Sequence, residues 1–251
     1  MRYPREVWVG SNFSKSNHFP RQVVHDKIEF DEFIRQHNNR MNCYTSVYDY
    51  SRFQTKYDKR GIDISEGIIA SVILDRIFLD FDSHGLPLEE SFIDLKNAVQ
   101  FMRENDYLYN ILFSGKGFHM YAYGKITDSI RNVQSFFRLV EKYCQDKRDK
   151  LLDNRSGTTL DNSGVRTRQL RRIANTVNMS SEFTLEDGNK GCYYCIPLRY
   201  GDLESLDSIL ELAKKPRPIP RRIYGKKRVQ WPSLPPIAEA PIEEAVIEKV
   251  G

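Results

Sequence analysis

The stretch IFLDFD, residues 77–82, is apolar except for two acids, Asp80 and Asp82, with only Phe81 between them. In an extended strand, residues two apart share a face. Asp80 and Asp82 therefore project together, and Leu79 and Phe81 point the other way into a core. Two carboxylates side by side repel, so one stays protonated or a cation lies between them. A divalent metal suits this arrangement, because Mg²⁺ takes one or two carboxylates together with phosphate oxygens. The alternative is a strand end at which both acids are simply hydrated, and the following DFDSHG does run into a turn.

Outward from this strand the pattern is mixed. LPLEESFIDLKNAVQFMREN (86–105) repeats apolar residues at helical spacing through Phe92, Leu95, Val99 and Met102. YLYNILFS (107–114) reads as a strand, GKG as a tight turn and FHMYAYG (118–124) as a second strand. Helices are predicted over 26–37, 126–145 and 203–215, and further strands in CYTSVYDY (43–50) and YYCIPL. Helices alternating with strands around a β-turn-β hairpin favour an α/β or α+β domain over a sandwich or bundle.

SGKGFHMY (114–121) places two glycines around Lys116 between strands. Such a turn lets backbone N–H groups approach an anion, and Lys116 adds charge. It is not a Walker A loop, since the spacing differs and a strand follows. Ser114 and His119 share this hairpin. TLDNSGVRTRQLRRIANTVN (159–178) holds Arg166, Arg168, Arg171 and Arg172. Guanidinium groups suit phosphate contacts. The bland alternative is a solvated helix face that groups Arg168, Arg171 and Arg172 and turns Arg166 away. Asp161, just before, is a candidate third carboxylate. Acids for metal, a glycine turn for phosphates and an arginine cluster together point to metal-assisted phosphoryl or nucleotidyl transfer.

The bulk properties narrow the setting. The chain has 251 residues, 40% of them hydrophobic, and a net charge of +4, which by itself says little about partners. No apolar run reaches a membrane span, and MRYPREVWVGSNF has no signal-peptide core, so a cytoplasmic protein without membrane contact is expected. Cys43, Cys144, Cys192 and Cys195 supply one close pair, CYYC, and no histidine follows His119, so zinc is not expected. Seven of eleven prolines fall in 216–241, and residues 214–228 hold eight Lys or Arg and no acid. The expected organisation is a catalytic domain over 1–213 and a basic, proline-rich linker or tail over 214–251. Such an arm suits a nucleic-acid backbone or a linker toward a partner.

The ordered motifs resemble those of the archaeo-eukaryotic primase superfamily. IFLDFD resembles its hydrophobic-D-hydrophobic-D motif. SGKGFH resembles its small residue-x-H motif in a glycine-rich turn. RRIANTVN followed by CIPL is similar to its basic segment that ends in a strand. The resemblance spans roughly residues 40–200. It implies an α+β fold, with an RRM-like catalytic sheet packed with a second small α/β unit. It implies two Mg²⁺ or Mn²⁺ ions on Asp80, Asp82 and a third acid, which is Asp161 or Asp153. It further implies triphosphate contacts from Ser114, Lys116, His119, Arg172 and Asn178. Arg166, Arg168 and Arg171 are then expected on nucleic acid. The chain departs from the family at Ala174, where proline is usual, and at Val165 and Arg166, where an acid often stands. The zinc-bearing stem of many archaeal primases has no counterpart.

The function so implied is that of a DNA primase or primase-polymerase of an archaeal, plasmid or viral replication system. It would add dNTP or NTP on a single-stranded DNA template, with a helical primase partner or a helicase as further partner. A catalytically weak or inactive nucleic-acid-binding module on the same fold is the alternative. A replication-initiator nickase is disfavoured, because no H-x-H pair accompanies the tyrosines.

Overall fold

A computed structural model of the chain describes residues 2–10, 19–59, 61, 64–83, 85–151, 157–161, 165–219 and 223–232. Asp153 and the acidic end of the tail lie outside the described residues.

The chain opens with β1 (Arg5–Gly10), β2 (Gln22–Val24), α1 (Lys27–His37) and β3 (Asn42–Ser46). Asp26 caps α1 by accepting from the Glu29 N–H at 2.9 Å, and the Glu29 carboxylate accepts from the N–H of His25, the residue before the cap. The helix buries Phe30 and Phe33 against Val7, Val9 and Cys43. There follow β4 (Asp49–Tyr50), the short pair β5 (Phe53–Gln54) and β6 (Glu66–Gly67), and the long β7 (Val72–Phe81). Then come α2 (Leu88–Glu104), β8 (Tyr109–Phe113), β9 (Phe118–Thr127) and α3 (Ile130–Leu151). The last elements are β10 (Leu170–Arg172), β11 (Phe183–Thr184), β12 (Lys190–Gly191), β13 (Ile196–Leu198) and α4 (Leu206–Leu212).

Two antiparallel sheets organise this α+β fold. One has the strand order β10-β3-β1-β2 and the other β13-β8-β9-β7-β4. In the larger sheet β7 and β8 flank β9, and both run antiparallel to it. With α2 as crossover this is a split β-α-β arrangement. One face of β7, through Ile77, Leu79 and Phe81, is fully buried in the core that α2 and α3 complete with Leu95, Met102, Phe136 and Val140. Its other face carries Arg76, Phe78 and Asp80. The cross-strand partners of these three are Tyr123, Tyr121 and His119.

The polar face looks toward the smaller sheet, and charges join the two. Arg5 of β1 is 1% exposed and donates to Thr45 Oγ1 and the Ser46 carbonyl. Asp49 lies 3.7 Å from Arg5 and accepts from Arg76 at 3.1 Å. The expected strand 43–50 is thereby split. Asn42–Ser46 pairs within one sheet and Asp49–Tyr50 pairs with β7 in the other. Residues 166–172 also depart from the helical alternative: a turn closed by Gln169 N–H on the Arg166 carbonyl leads into β10, which pairs with β3. Pairing with an existing edge strand outweighs the helix propensity of a short arginine-rich run.

Residues 223–232 lie along the larger sheet. Tyr224 exchanges backbone hydrogen bonds with Tyr109, and Val229 donates to the Tyr123 carbonyl. Trp231 covers Gly124, where a Cβ would meet its ring at 2.0 Å, and packs edge-on against Phe136. Trp231→Ala is therefore expected to cost about 2–3 kcal/mol, below a fully buried aromatic because the indole is only half-buried. A denaturant melt that coincides with wild type would show that the segment adds nothing to the fold.

Candidate active site

The site begins at the end of β7. Asp80 pairs across to His119 on β9, and the His119 ring meets the Phe78 ring edge-on at 4.8 Å. On the other edge of β7, Phe81 bridges Leu160, with Asp161 N–H on the Asp80 carbonyl and Asp82 N–H on the Thr159 carbonyl. That register sets Asp161 opposite Asp80. Both neighbouring carboxylates act on Asp80. Burial first, then the charges of Asp82 and Asp161, push its pKa up to about 7, against a smaller opposing pull from Arg172. The Asp80 side chain keeps 28% of its exposure, but that surface faces a concave pocket rather than open solvent.

The 114–117 turn needs both its glycines. Gly115 has φ +97°, and a Cβ there would meet Asn178 at 2.6 Å; a Cβ on Gly117 would meet the Phe81 carbonyl oxygen at 2.3 Å. Ser114 and Gly117 close the turn, with Ser114 N–H on the Gly117 carbonyl and Gly117 N–H on Ser114 Oγ. Asn178 donates to the Ser114 carbonyl at 2.8 Å, so it braces the turn from outside. Lys116 is exposed at the tip.

His119 is 6% exposed. Its Nε2 stands 3.6 Å from Asp80 Oδ1, beyond hydrogen-bonding distance, and its buried Nδ1 has no partner among the described residues. Burial, followed by the charges of Arg172 and Arg171, lowers its pKa to about 3. The imidazole is neutral at physiological pH, with one N–H to donate and one nitrogen to accept.

Arg172 closes the opposite wall. It donates to Asn42 Oδ1 at 2.7 Å and to the Tyr44 hydroxyl at 3.1 Å. Arg171 also reaches the pocket. Its guanidinium lies 5.1 Å over the Tyr121 ring, and its buried Nε has no hydrogen-bond partner among the described residues. Burial, then Arg5, lowers it to about 9, still cationic at neutral pH. Asp80, Asp82, Ser114, Lys116, His119, Arg171, Arg172 and Asn178 thus share one cavity of about 280 Å³ between the two sheets.

Of the other expected residues, Arg168 stands apart. It bonds Glu66 at 2.5 Å and lies 3.7 Å from Glu6, lining a separate charged cleft. Arg166 is exposed at the turn before β10. Tyr44 and Asn42 hold Arg172. Nothing in NCYTS distinguishes them from ordinary strand residues, and only pairing of β3 with β10 brings them to the site. A larger concavity of about 720 Å³ lies between α2 and residues 200–204. There Arg103 already stacks on Tyr200, 4.1 Å from its ring centroid, and no acid pair meets a glycine turn.

Among the described residues no three His, Cys, Asp or Glu side chains are gathered closely enough to hold an ion by themselves. The available donors are carboxylates whose mutual repulsion is registered at Asp80. Such a set fits Mg²⁺ or Mn²⁺ arriving with phosphate oxygens, since Mg²⁺ is ordinarily held by one or two carboxylates plus substrate phosphates. Among the described residues no helix is long and apolar enough to cross a membrane.

No protein-family model matches the chain, and no curated protein matches it. Among solved structures the chain is similar to the polymerase domain from Mycobacterium tuberculosis Ligase D in complex with DNA. The likeness has 13% sequence identity and a TM-score of 0.49, and covers 82% of this chain and 70% of that one.

Proposed function

We propose that the chain is a metal-dependent primase-polymerase that adds nucleotides on a single-stranded DNA template. The observation that carries this reading is the convergence in one cavity of the Asp80–Asp82 strand end, the Ser114–His119 turn and the Arg171–Arg172 strand. Acids on one side and phosphate-binding groups on the other match a nucleoside triphosphate that brings divalent cations with it.

In this reaction the primer 3′ hydroxyl gives up its proton to solvent as its oxygen bonds to the α-phosphorus. The bond to the bridging oxygen of the β-phosphate breaks, and pyrophosphate leaves. Asp80, Asp82 and Asp161 would hold the metal, which when bound would supply charge neutralisation for the reacting phosphate. The Ser114 hydroxyl, whose oxygen accepts from Gly117, still has its own proton to give to a phosphate. Lys116 adds a mobile charge at the turn. The neutral imidazole of His119 offers a hydrogen bond rather than a charge. Arg172, locked by Asn42 and Tyr44, presents a fixed guanidinium at little entropic cost. Arg171 and the exposed Arg166 are assigned to template or phosphate contact, and Arg168 to the ion-paired cleft beside them.

The test is primer extension by purified protein on a single-stranded template with Mn²⁺ or Mg²⁺ and each nucleotide class. Asp80→Ala together with Asp82→Ala is expected to lower incorporation at least ~1,000-fold, in line with lost transition-state charge stabilisation. A folded double variant that still extends primers would sink the proposal. An inactive nucleic-acid-binding module would instead show salt-dependent DNA binding without synthesis by wild type.

A further inference from the structure

Asp161 comes to Asp80 through Leu160, which bridges Phe81, and the register at that bridge decides where the Asp161 carboxylate points. A slip of one residue would set Leu160 opposite Asp80 and turn the carboxylate away. We propose that Asp94 of α2 is the positioning residue for Asp161, acting through Thr159. This rests on the reading of Asp80, Asp82 and Asp161 as the metal-bearing acids.

The geometry is specific. Asp94 is fully buried, and one of its oxygens, Oδ2, accepts from both the Thr159 N–H at 2.6 Å and the Thr159 hydroxyl at 2.7 Å. A backbone donor and a side-chain donor on one oxygen pin the residue's position along β7 as well as its rotamer. The carboxylate's charge is matched by Arg148 of α3, which donates from Nε to Oδ1 at 2.6 Å and from Nη2 to Oδ2 at 2.8 Å. Arg148 is itself held by the Glu90 carboxylate and carbonyl. A helix-to-helix ion pair therefore ends on the segment that carries the third acid. Burying a carboxylate this completely is costly unless every lone pair is used. Here the use goes to a residue two positions from Asp161.

The test measures binding of the Mn²⁺ complex of dATP to the full chain by electron paramagnetic resonance, with thermal melts of the metal-free proteins alongside. Thr159→Val keeps the branched shape and loses the hydroxyl. It is expected to weaken this binding about tenfold, the lower end for loss of a group that orients a metal ligand. Thr159→Ser should stay within about twofold of wild type. Asp161→Asn should weaken binding at least as much as Thr159→Val, and the two together no more than Asp161→Asn alone. If Thr159→Val does not fold, Thr159→Ala serves in its place. Wild-type affinity in the Thr159 variant, with Asp161→Asn impaired, overturns the positioning role and leaves the metal reading standing. Losses that add fully in the double variant overturn it equally. No binding of the Mn²⁺ complex of dATP by wild type overturns the metal reading and this role with it.

Discussion

Asp80→Asn is expected to abolish nucleotide incorporation and at the same time to stabilise the metal-free fold. In the folded chain the Asp80 carboxyl is pushed up to about 7 from an ordinary value of 3.8, by burial and by Asp82 and Asp161. The folded state then holds a proton more tightly than the unfolded state between those two values. Stability attributable to Asp80 is thus lost as pH rises from about 4 to about 7. Above pH 7 the ionised group costs the fold about 2–4 kcal/mol, the upper figure being the full shift and the lower allowing for the side chain's exposure to the pocket. Removing the charge should recover that cost, raising the thermal midpoint at pH 8 by about 5–10 °C for a chain of this size. His119 acts in the opposite sense. Its pKa lies at about 3 rather than 6.5, so its contribution is lost as pH falls through that window. The two slopes oppose each other over roughly pH 4–6.5 in wild type. In Asp80→Asn the His119 slope alone remains, and stability should rise with pH there. Melts at pH 4, 6 and 8 with and without Mn²⁺ and dATP together check this. The pair should stabilise wild type more than the variant. A variant less stable than wild type at pH 8 would mean that Asp80 is satisfied by its neighbours rather than strained by them.

Gly117→Ala is the second large effect. A Cβ there would lie 2.3 Å from the Phe81 carbonyl oxygen, a backbone atom that cannot rotate away. Either the 114–117 turn or the end of β7 must move. Either motion separates the hairpin from the Asp80–Asp82 strand end and breaks the Ser114–Gly117 hydrogen bonds. The expected cost is about 2–4 kcal/mol, in the range of backbone conflicts at special positions, with incorporation lost even where the variant folds. Gly201→Ala serves as the matched control. Nothing lies within 4 Å of a Cβ at that position, so a change within about 0.5 kcal/mol is expected. Equal effects of the two substitutions would remove the argument that Gly117 is demanded by close backbone approach.

The buried strand, the hairpin and the two long helices were readable because each carries its own period. β7 alternates through Ile77, Leu79 and Phe81, and α2 repeats Leu95, Val99 and Met102. The smaller sheet was largely not readable. REVWVG at Arg5–Gly10 includes Arg5 and Glu6, both essentially unexposed. Their charges mask the strand's burial until Thr45, Asp49 and Arg21 are seen to pair them. β10 was hidden for a related reason. A three-residue strand has no period of its own, and it exists because β3 offers an edge to pair with.

For the site, local sequence determined that Asp80 and Asp82 share the end of one strand and that two glycines shape the turn before His119. Strand geometry and glycine's conformational range act over a few residues, so six letters suffice. Only the tertiary structure decided what stands opposite. It sets Asp161 across from Asp80, sends Arg168 to Glu66, turns Arg171 into the cavity and has Tyr44 and Asn42 hold Arg172. Those placements depend on the pairing of distant strands and on buried charges finding partners. Neither leaves a periodic mark in the chain.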